Sequence, residues 1–284
     1  MILFTKMHGL GNDFVVLDEI TSTERSCKGT IPAEFPRDLA WRLCDRRFGV
    51  GCDQILRLIL PRDARQAQVR MDIFNADGSI AEMCGNGIRA VGLYLHRYWK
   101  NEKEFRIETL AGLQIVTIEG NQVRVNMGIP TVAAKTEKLQ FKGQIKNESK
   151  NQSKNETIEF WEVSTGNPHA VTFTSSVESV PLEEWGSVIE RHARFPKRTN
   201  VEFVQVMSKS QIRVRVWERG AGITLACGTG ACASAAAAQQ AGLVGSSCEV
   251  ILPGGSLQIE WKGGQEPLFM TGPAEEVFFG KFSY

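Results

Sequence analysis

The sequence holds no apolar run near the ~20 residues that a bilayer-spanning helix needs. Its first fourteen residues, MILFTKMHGLGNDF, contain no extended apolar core of the secretory kind. The default expectation is therefore the cytoplasm. Charge of one sign is also missing: 33 Lys and Arg against 32 Asp and Glu leave a formal net charge of +1, with the basic residues scattered. That balance gives no electrostatic footprint for nucleic acid, so neither a nucleic acid nor a membrane is an expected partner. The seven cysteines (27, 44, 52, 84, 227, 232 and 248) include no Cys-x-x-Cys pair, and the four histidines stand at no ligand spacing from them. A secreted disulfide framework and a structural metal site are both disfavoured. Three Asn-x-Ser/Thr triplets, at Asn147, Asn151 and Asn155, read as chance in a polar stretch.

What is present is a duplication. Residues 75–94 read NADGSIAEMCGNGIRAVGLY, and residues 218–238 read ERGAGITLACGTGACASAAAA. Placing Cys84 on Cys227, an offset of 143, pairs Gly85 with Gly228, Gly87 with Gly230, Ala90 with Ala233 and Asn75 with Glu218. Each copy reads as a strand, a short loop, a cysteine, a Gly-x-Gly turn and an apolar helix. The chain's 284 residues, 42% of them hydrophobic, suffice for two cores. No flexible linker separates the halves, so they are expected to pack directly. A looser echo places Gly166-Asn167 and His169 against Gly11-Asn12 and Phe14.

The rest alternates between short strands and turns, with helices expected over residues 32–47 and 181–194. The helix after Cys84 is apolar over much of its circumference, and the one after Cys227 is small-sided; such helices belong inside a wrap of strands. The order of elements predicts an α+β fold of mostly antiparallel sheet rather than a doubly wound one. Residues 142–156 (KGQIKNESKNQSKNE) have almost no apolar content and predict an exposed loop or insertion.

A cysteine at a helix N-terminus sits at unpaired amides and the positive dipole end, which favours the thiolate. The glycines that follow let first-turn amides approach an anion such as a carboxylate. A single such cysteine is often structural. Two in matched contexts suit a racemase or epimerase in which one thiolate removes an α-proton and the opposing thiol returns one to the other face. No persuasive Schiff-base lysine or phosphate loop is present, so no cofactor is expected; oriented amides in a water-excluding site would stabilise the developing charge. A thiol hydrolase or redox protein, and a non-catalytic amino-acid-binding module, remain as alternatives. Turn chemistry alone also accounts for Asn12, a core contact for His169 and a strand-end salt bridge for Glu218.

MHGLGNDF, GCDQ, FNADGSIAEMCGNGIRA, TGNPHAV, TNVEF, WERGAG and LACGTGACA, in this order across nearly the whole chain, closely resemble the diaminopimelate epimerase family. The resemblance implies two similar domains, residues 1–129 joined by a returning strand at 274–284, and residues 130–273. Each would be a sheet wrapped around a central helix, with the site in the cleft between them. It implies interconversion of LL- and meso-2,6-diaminopimelate without pyridoxal phosphate, in lysine and peptidoglycan-precursor biosynthesis, by a homodimer. By the same resemblance Cys84 and Cys227 are the acid and base pair, and His169 and Glu218 orient the reacting ammonium. Gly85, Asn86, Gly228 and Thr229 hold the reacting carboxylate. Asn12, Gln54, Asn75, Asn167, Asn200 and Arg219, together with Glu218, grip the substrate. A proline racemase-like enzyme is the nearest rival, but a second carboxylate gives Arg219 and the asparagines a task that a one-carboxyl substrate does not. One departure stands out: Ile223 occupies a position where the family commonly has glutamate, which predicts a lost loop contact near Cys227.

Overall fold

The computed structural model describes residues 1–21, 23–147 and 150–284, with backbone alone for the described part of residues 144–154. The chain divides into two compact units, Met1–Asn126 with Thr271–Tyr284, and Met127–Met270.

The first unit runs β1 (Ile2–Gly9), β2 (Asn12–Asp18), α1 (Arg37–Cys44), β3 (Gln54–Ile59), β4 (Val69–Asn75), β5 (Ile80–Ala81), α2 (Gly85–Tyr98), β6 (Glu104–Thr109), β7 (Gly112–Glu119) and β8 (Gln122–Asn126). The second runs β9 (Thr131–Val132), β10 (Glu137–Asn147), β11 (Lys150–Ser164), β12 (Pro168–Phe173), α3 (Leu182–Glu190), β13 (Asn200–Ser208), β14 (Gln211–Glu218), β15 (Gly222–Ile223), α4 (Gly228–Gln240), β16 (Ser247–Leu252) and β17 (Gly255–Glu260). β18 (Phe269–Pro273) follows, and β19 (Glu275–Phe282) pairs antiparallel with β1 in the first unit.

Both units use one pairing scheme. β1–β2 is antiparallel, β2–β3 parallel, β3–β4 antiparallel, β4–β5 antiparallel, β4–β6 parallel and β6–β7 antiparallel. The second unit repeats this with β11–β12, β12–β13, β13–β14, β14–β15, β14–β16 and β16–β17. Parallel neighbours cannot be joined by a tight hairpin, so each parallel pair is bridged by a crossover. The four helices among the described residues supply those crossovers: α1 and α3 precede β3 and β13, and α2 and α4 precede β6 and β16. The sheet is thus mostly antiparallel, and the parallel pairs mark where helices had to be threaded.

α2 packs against β1, β2, β7, β8 and β19, and α4 against β9, β11, β12, β13, β14, β16 and β17. This enclosure explains the apolar circumference of α2, where residues 85–95 are all buried. α4 is enclosed from more sides and is correspondingly small-sided: Ala231, Ala233, Ala236, Ala237 and Ala238 are each at most 1% exposed. A larger residue on either inner face would overpack the wrap.

Three boundaries differ from sequence expectation. α1 is shorter than residues 32–47, because Pro36 and Asp45 flank it in extended conformation (φ −69°, ψ 132° and φ −61°, ψ 120°). α3 ends at Glu190 rather than 194. The polar stretch 142–156 continues β10 and β11, whose ladder runs from Glu137↔Phe160 to Asn147↔Lys150; its turn lies outside the described residues. Leu139, Phe141, Ile158 and Phe160 are buried at the base of this hairpin. Beyond them the ladder is carried by backbone hydrogen bonds, which composition does not reveal.

Candidate active site

Cys84 and Cys227 occupy the same local position in their units. Each is the N-cap of its helix, in extended backbone (φ −140°, ψ 109° and φ −117°, ψ 111°). Each Sγ accepts the amide two residues inside the helix, Gly87 N at 3.3 Å and Gly230 N at 3.4 Å. A sulfur here does what a capping serine or aspartate oxygen usually does. The remaining first-turn amides of a helix point past its end, where an anionic group can receive them. These amides belong to Gly85 and Asn86 in one unit and to Gly228 and Thr229 in the other.

In the first unit the β1–β2 turn brings Asn12 to Cys84. Leu10 and Gly11 take positive φ (57° and 85°) to make that turn. Asn12 Oδ1 accepts the Cys84 thiol at 3.7 Å and Asn86 Nδ2 at 3.2 Å, while Asn12 Nδ2 donates to Asp53 Oδ2 at 2.8 Å. Asp53 belongs to a clamp absent from the sequence expectations. Arg46 donates to Asp13 and Asp53, each at 2.7 Å, and Lys6 donates to Asp13 Oδ2 at 2.6 Å and to the Gly51 carbonyl. Burial works against the charge on Asp13, but Arg46 and Lys6 outweigh it and hold its pKa at about 2. Gln54 and Asn75 face each other across β3 and β4, with Gln54 Nε2 donating to Asn75 Oδ1 at 2.9 Å.

Arg89, fully buried in α2, also escaped sequence reasoning. Its guanidinium donates to Gly85 O (3.1 Å), Asn86 Oδ1 (3.0 Å) and Pro273 O (3.2 Å). It thereby fixes the Gly-Asn turn after Cys84.

In the second unit Cys227 Sγ lies 3.5 Å from Thr229 Oγ1, which accepts Asn167 Nδ2 at 3.3 Å. His169 is 1% exposed. Its Nε2 meets Asn167 Oδ1 at 2.9 Å and Thr165 Oγ1 at 3.2 Å, and its Nδ1 meets Glu202 Oε1 at 2.7 Å. Glu202 is fully buried and was not expected from sequence; a carboxylate between Val201 and Phe203 in β13 was the available signal. Glu218 ends β14, where Thr224 Oγ1 donates to its Oε1 at 2.5 Å. Asn200 is bonded to backbone at both ends of its amide, donating to Pro168 O and accepting Arg219 N, each at 2.9 Å. The Arg219 side chain is exposed, with one contact to Lys197 O at 3.4 Å. Ile223 is 50% exposed in β15 opposite Trp217, so the neighbouring Thr224 rather than residue 223 makes the loop contact to Glu218.

A helix N-terminus alone predicts a lowered thiol pKa, and Cys227 departs from that. Burial pushes its thiol well above the ordinary range, Glu218 and Glu202 add to the shift, and Thr229 and the Gly230 amide oppose it only in part.

Residues 4–133 and 161–277 match the family described as diaminopimelate epimerase. Proteins of that name from Carboxydothermus hydrogenoformans and Moorella thermoacetica are 46% and 45% identical to the chain, over 98% of both partners in each case. A third, from Methanococcus maripaludis, is 44% identical over the same shares. Among solved structures, a hydroxyproline epimerase from Agrobacterium vitis superposes with a TM-score of 0.68 at 18% identity, covering 98% of this chain and 90% of that one. A PhzF-family phenazine biosynthesis protein from Bacillus anthracis gives 0.68 at 15% identity, covering 100% and 99%. These structures share the fold. Full-length identity near 45% goes further, and it falls on a chain whose two thiols cap equivalent helices: the chain belongs to the diaminopimelate epimerase family.

Proposed function

We propose that the protein is an isomerase that interconverts LL- and meso-2,6-diaminopimelate by a two-base mechanism without a cofactor, within lysine and peptidoglycan-precursor biosynthesis. The observation that carries this reading is the repeated placement of a thiol at a helix N-cap, its sulfur on the Gly87 amide in one unit and on the Gly230 amide in the other. One thiolate removes the proton from the α-carbon, and the other cysteine's S–H delivers its proton to the opposite face. The C–H bond broken and the C–H bond formed balance, and the two sulfurs exchange protonation states. The first-turn amides of α2 and α4 stabilise the negative charge that spreads onto the α-carboxylate in the transition state.

His169 and Glu218 orient the ammonium side, and Asn12, Gln54, Asn75, Asn167, Asn200 and Arg219 serve the substrate's two amino-acid ends. A guanidinium such as Arg219 can take the distal carboxylate bidentately. Asn200 acts chiefly by fixing the backbone that carries Arg219, to which it is bonded at 2.9 Å. The cytoplasm and a homodimer complete the reading; fractionation and sedimentation check them.

Incubation of the reduced protein with LL-diaminopimelate in deuterium oxide tests the reaction. The expected result is deuterium at one α-carbon together with formation of the meso isomer. Exchange with L-proline and none with diaminopimelate would move the assignment to a proline racemase-like enzyme, and exchange with neither would end it.

A further inference from the structure

The two units can be compared position by position, because they share one topology. Gln54 of β3 pairs with Phe14 of β2, and Asn200 of β13 pairs with His169 of β12. Phe14 and His169 are therefore equivalent. So are Leu56 and Glu202, two residues further along β3 and β13. Geometry at the helix caps agrees. A Cβ added to Gly87 would meet Leu56 Cδ2 at 3.1 Å, and a Cβ added to Gly230 would meet Glu202 Oε1 at 2.9 Å and Cys227 Sγ at 3.3 Å. Phe14 and Leu56 are apolar and both fully buried. The second unit puts a histidine and a glutamate in these two places, Nδ1 to Oε1 at 2.7 Å, with neither side chain exposed.

Burying an ionisable pair where an apolar one folds equally well costs stability and calls for a reason. The hydrogen bonds fix its proton content. Asn167 Nδ2 donates to Thr229 Oγ1, so its Oδ1 is turned to His169 Nε2, which must then be an N–H donor. The Nδ1···Oε1 contact consequently holds one proton. Glu202 Oε2 has no hydrogen-bond partner among the described residues. The carboxyl is not saturated by its surroundings.

We propose that the Glu202–His169 pair is the element that makes the two thiols unequal, so that Cys227 gives up its proton less readily than Cys84, beside which the matched place is filled by Leu56. This rests on the two-base reading and names a positioning residue for it. Glu202 acts on Cys227 through its charge, and His169 acts by holding Glu202. The groups facing Cys227 are Glu202 from β13, Glu218 from β14, and Thr229 and the Gly230 amide from α4; those facing Glu202 are His169 from β12 and Glu218. Burial raises the Glu202 pKa, His169 opposes this and Glu218 reinforces it, so the carboxyl is poised to respond to its neighbours.

The test is the pH dependence of iodoacetamide alkylation at Cys84 and Cys227, followed by mass spectrometry on the whole chain without substrate. In the unmodified protein Cys227 is expected to react in a higher pH range than Cys84; the reverse order would overturn the proposal whether or not any variant folds. In Glu202→Gln the Cys227 profile is expected to move to lower pH, alkylation at neutral pH becoming roughly tenfold faster for every pH unit the profile moves, while the Cys84 profile stays in place. The alkaline limb of kcat/KM for α-proton exchange should move down with it. Glu202→Leu, which installs the side chain of the matched position, should do the same. A Cys227 profile unchanged in both variants refutes the role, because a merely structural glutamate would alter folding and not the thiol's titration. Alkylation needs no substrate, so failure of proton exchange with diaminopimelate would sink the reaction assignment without touching this result.

Discussion

Asn12 accepts the thiol hydrogen of Cys84 at 3.7 Å through its Oδ1, and its own amide is held by Asp53 at 2.8 Å. The acceptor for one thiol is thus set by a turn distant in sequence and braced by a carboxylate. Removing the acceptor should disturb the thiol more than the fold, since Asn12 is only partly buried. Asn12→Ala is expected to lower kcat/KM for α-proton exchange by roughly 10- to 100-fold, the loss typical of a group that orients a reacting one, with a melting temperature within a few degrees of the parent. An unchanged rate would remove Asn12 from the site.

Replacing either sulfur by oxygen tests the pair. A serine can still cap the helix, because its oxygen accepts the same amide that Cys84 or Cys227 Sγ takes at 3.3 or 3.4 Å. A hydroxyl is a far weaker acid than a thiol, so proton transfer should fail while the cap survives. Cys84→Ser and Cys227→Ser are each expected to lose at least about 1000-fold in epimerisation, with thermal stability within about 1 kcal/mol of the parent. Wild-type turnover in either variant would dismiss the two-base scheme.

The glycines after each cysteine should differ in tolerance. At Gly87 an added methyl meets a flexible leucine end at 3.1 Å; at Gly230 it meets the Glu202 carboxyl at 2.9 Å and the Cys227 sulfur at 3.3 Å. Leu56 can rotate away, whereas Glu202 is tied to His169 at 2.7 Å. Gly87→Ala is expected to cost little, the overpacking being offset by about 1 kcal/mol of helix propensity. Gly230→Ala should destabilise by about 1–3 kcal/mol and depress activity beyond that. Urea denaturation with parallel rate measurements distinguishes them; equal effects would contradict the close fit at Gly230.

Much of this site was legible in sequence because its parts are local. A cysteine, two glycines and an apolar helix lie within a few residues, and their recurrence at an offset of 143 exposed the duplication. The Asn12 turn was legible for the same reason. What escaped was held by pairing between distant strands. Nothing in TNVEF says that Glu202 faces His169; that follows from the parallel register of β12 and β13. Arg89 was hidden inside an apolar helix, and acceptors such as Pro273 O are known only once the chain's end returns. The strand character of residues 142–156 was invisible because a backbone ladder needs no apolar residues. The thiol pKa went astray at Cys227 because a helix end is a local effect, whereas burial and two carboxylates are tertiary ones.

The clamp at Asp13 predicts an acid dependence with a definite sign. Its carboxylate is held by Lys6 at 2.6 Å and Arg46 at 2.7 Å, and its pKa is lowered to about 2 from an ordinary value of 3.8. A carboxylate whose folded pKa is depressed stabilises the fold in full above the unfolded value and loses that contribution as pH falls towards the folded one. The window is therefore from about pH 4 down to about pH 2. Because Arg46 is exposed to solvent, screening reduces the contribution to about 1 kcal/mol. Asp13→Asn should be less stable than the parent at neutral pH by at least that amount, and the gap should close as pH approaches 2. Urea midpoints of the two proteins across pH 2–7 make the comparison; a gap that stays constant with pH would show that Asp13 contributes by packing and hydrogen bonding rather than by charge. The same series read at the active site should show Asp13→Asn lowering the exchange rate at neutral pH, since Asp13 and Asp53 share Arg46, and Asp53 holds Asn12 against Cys84.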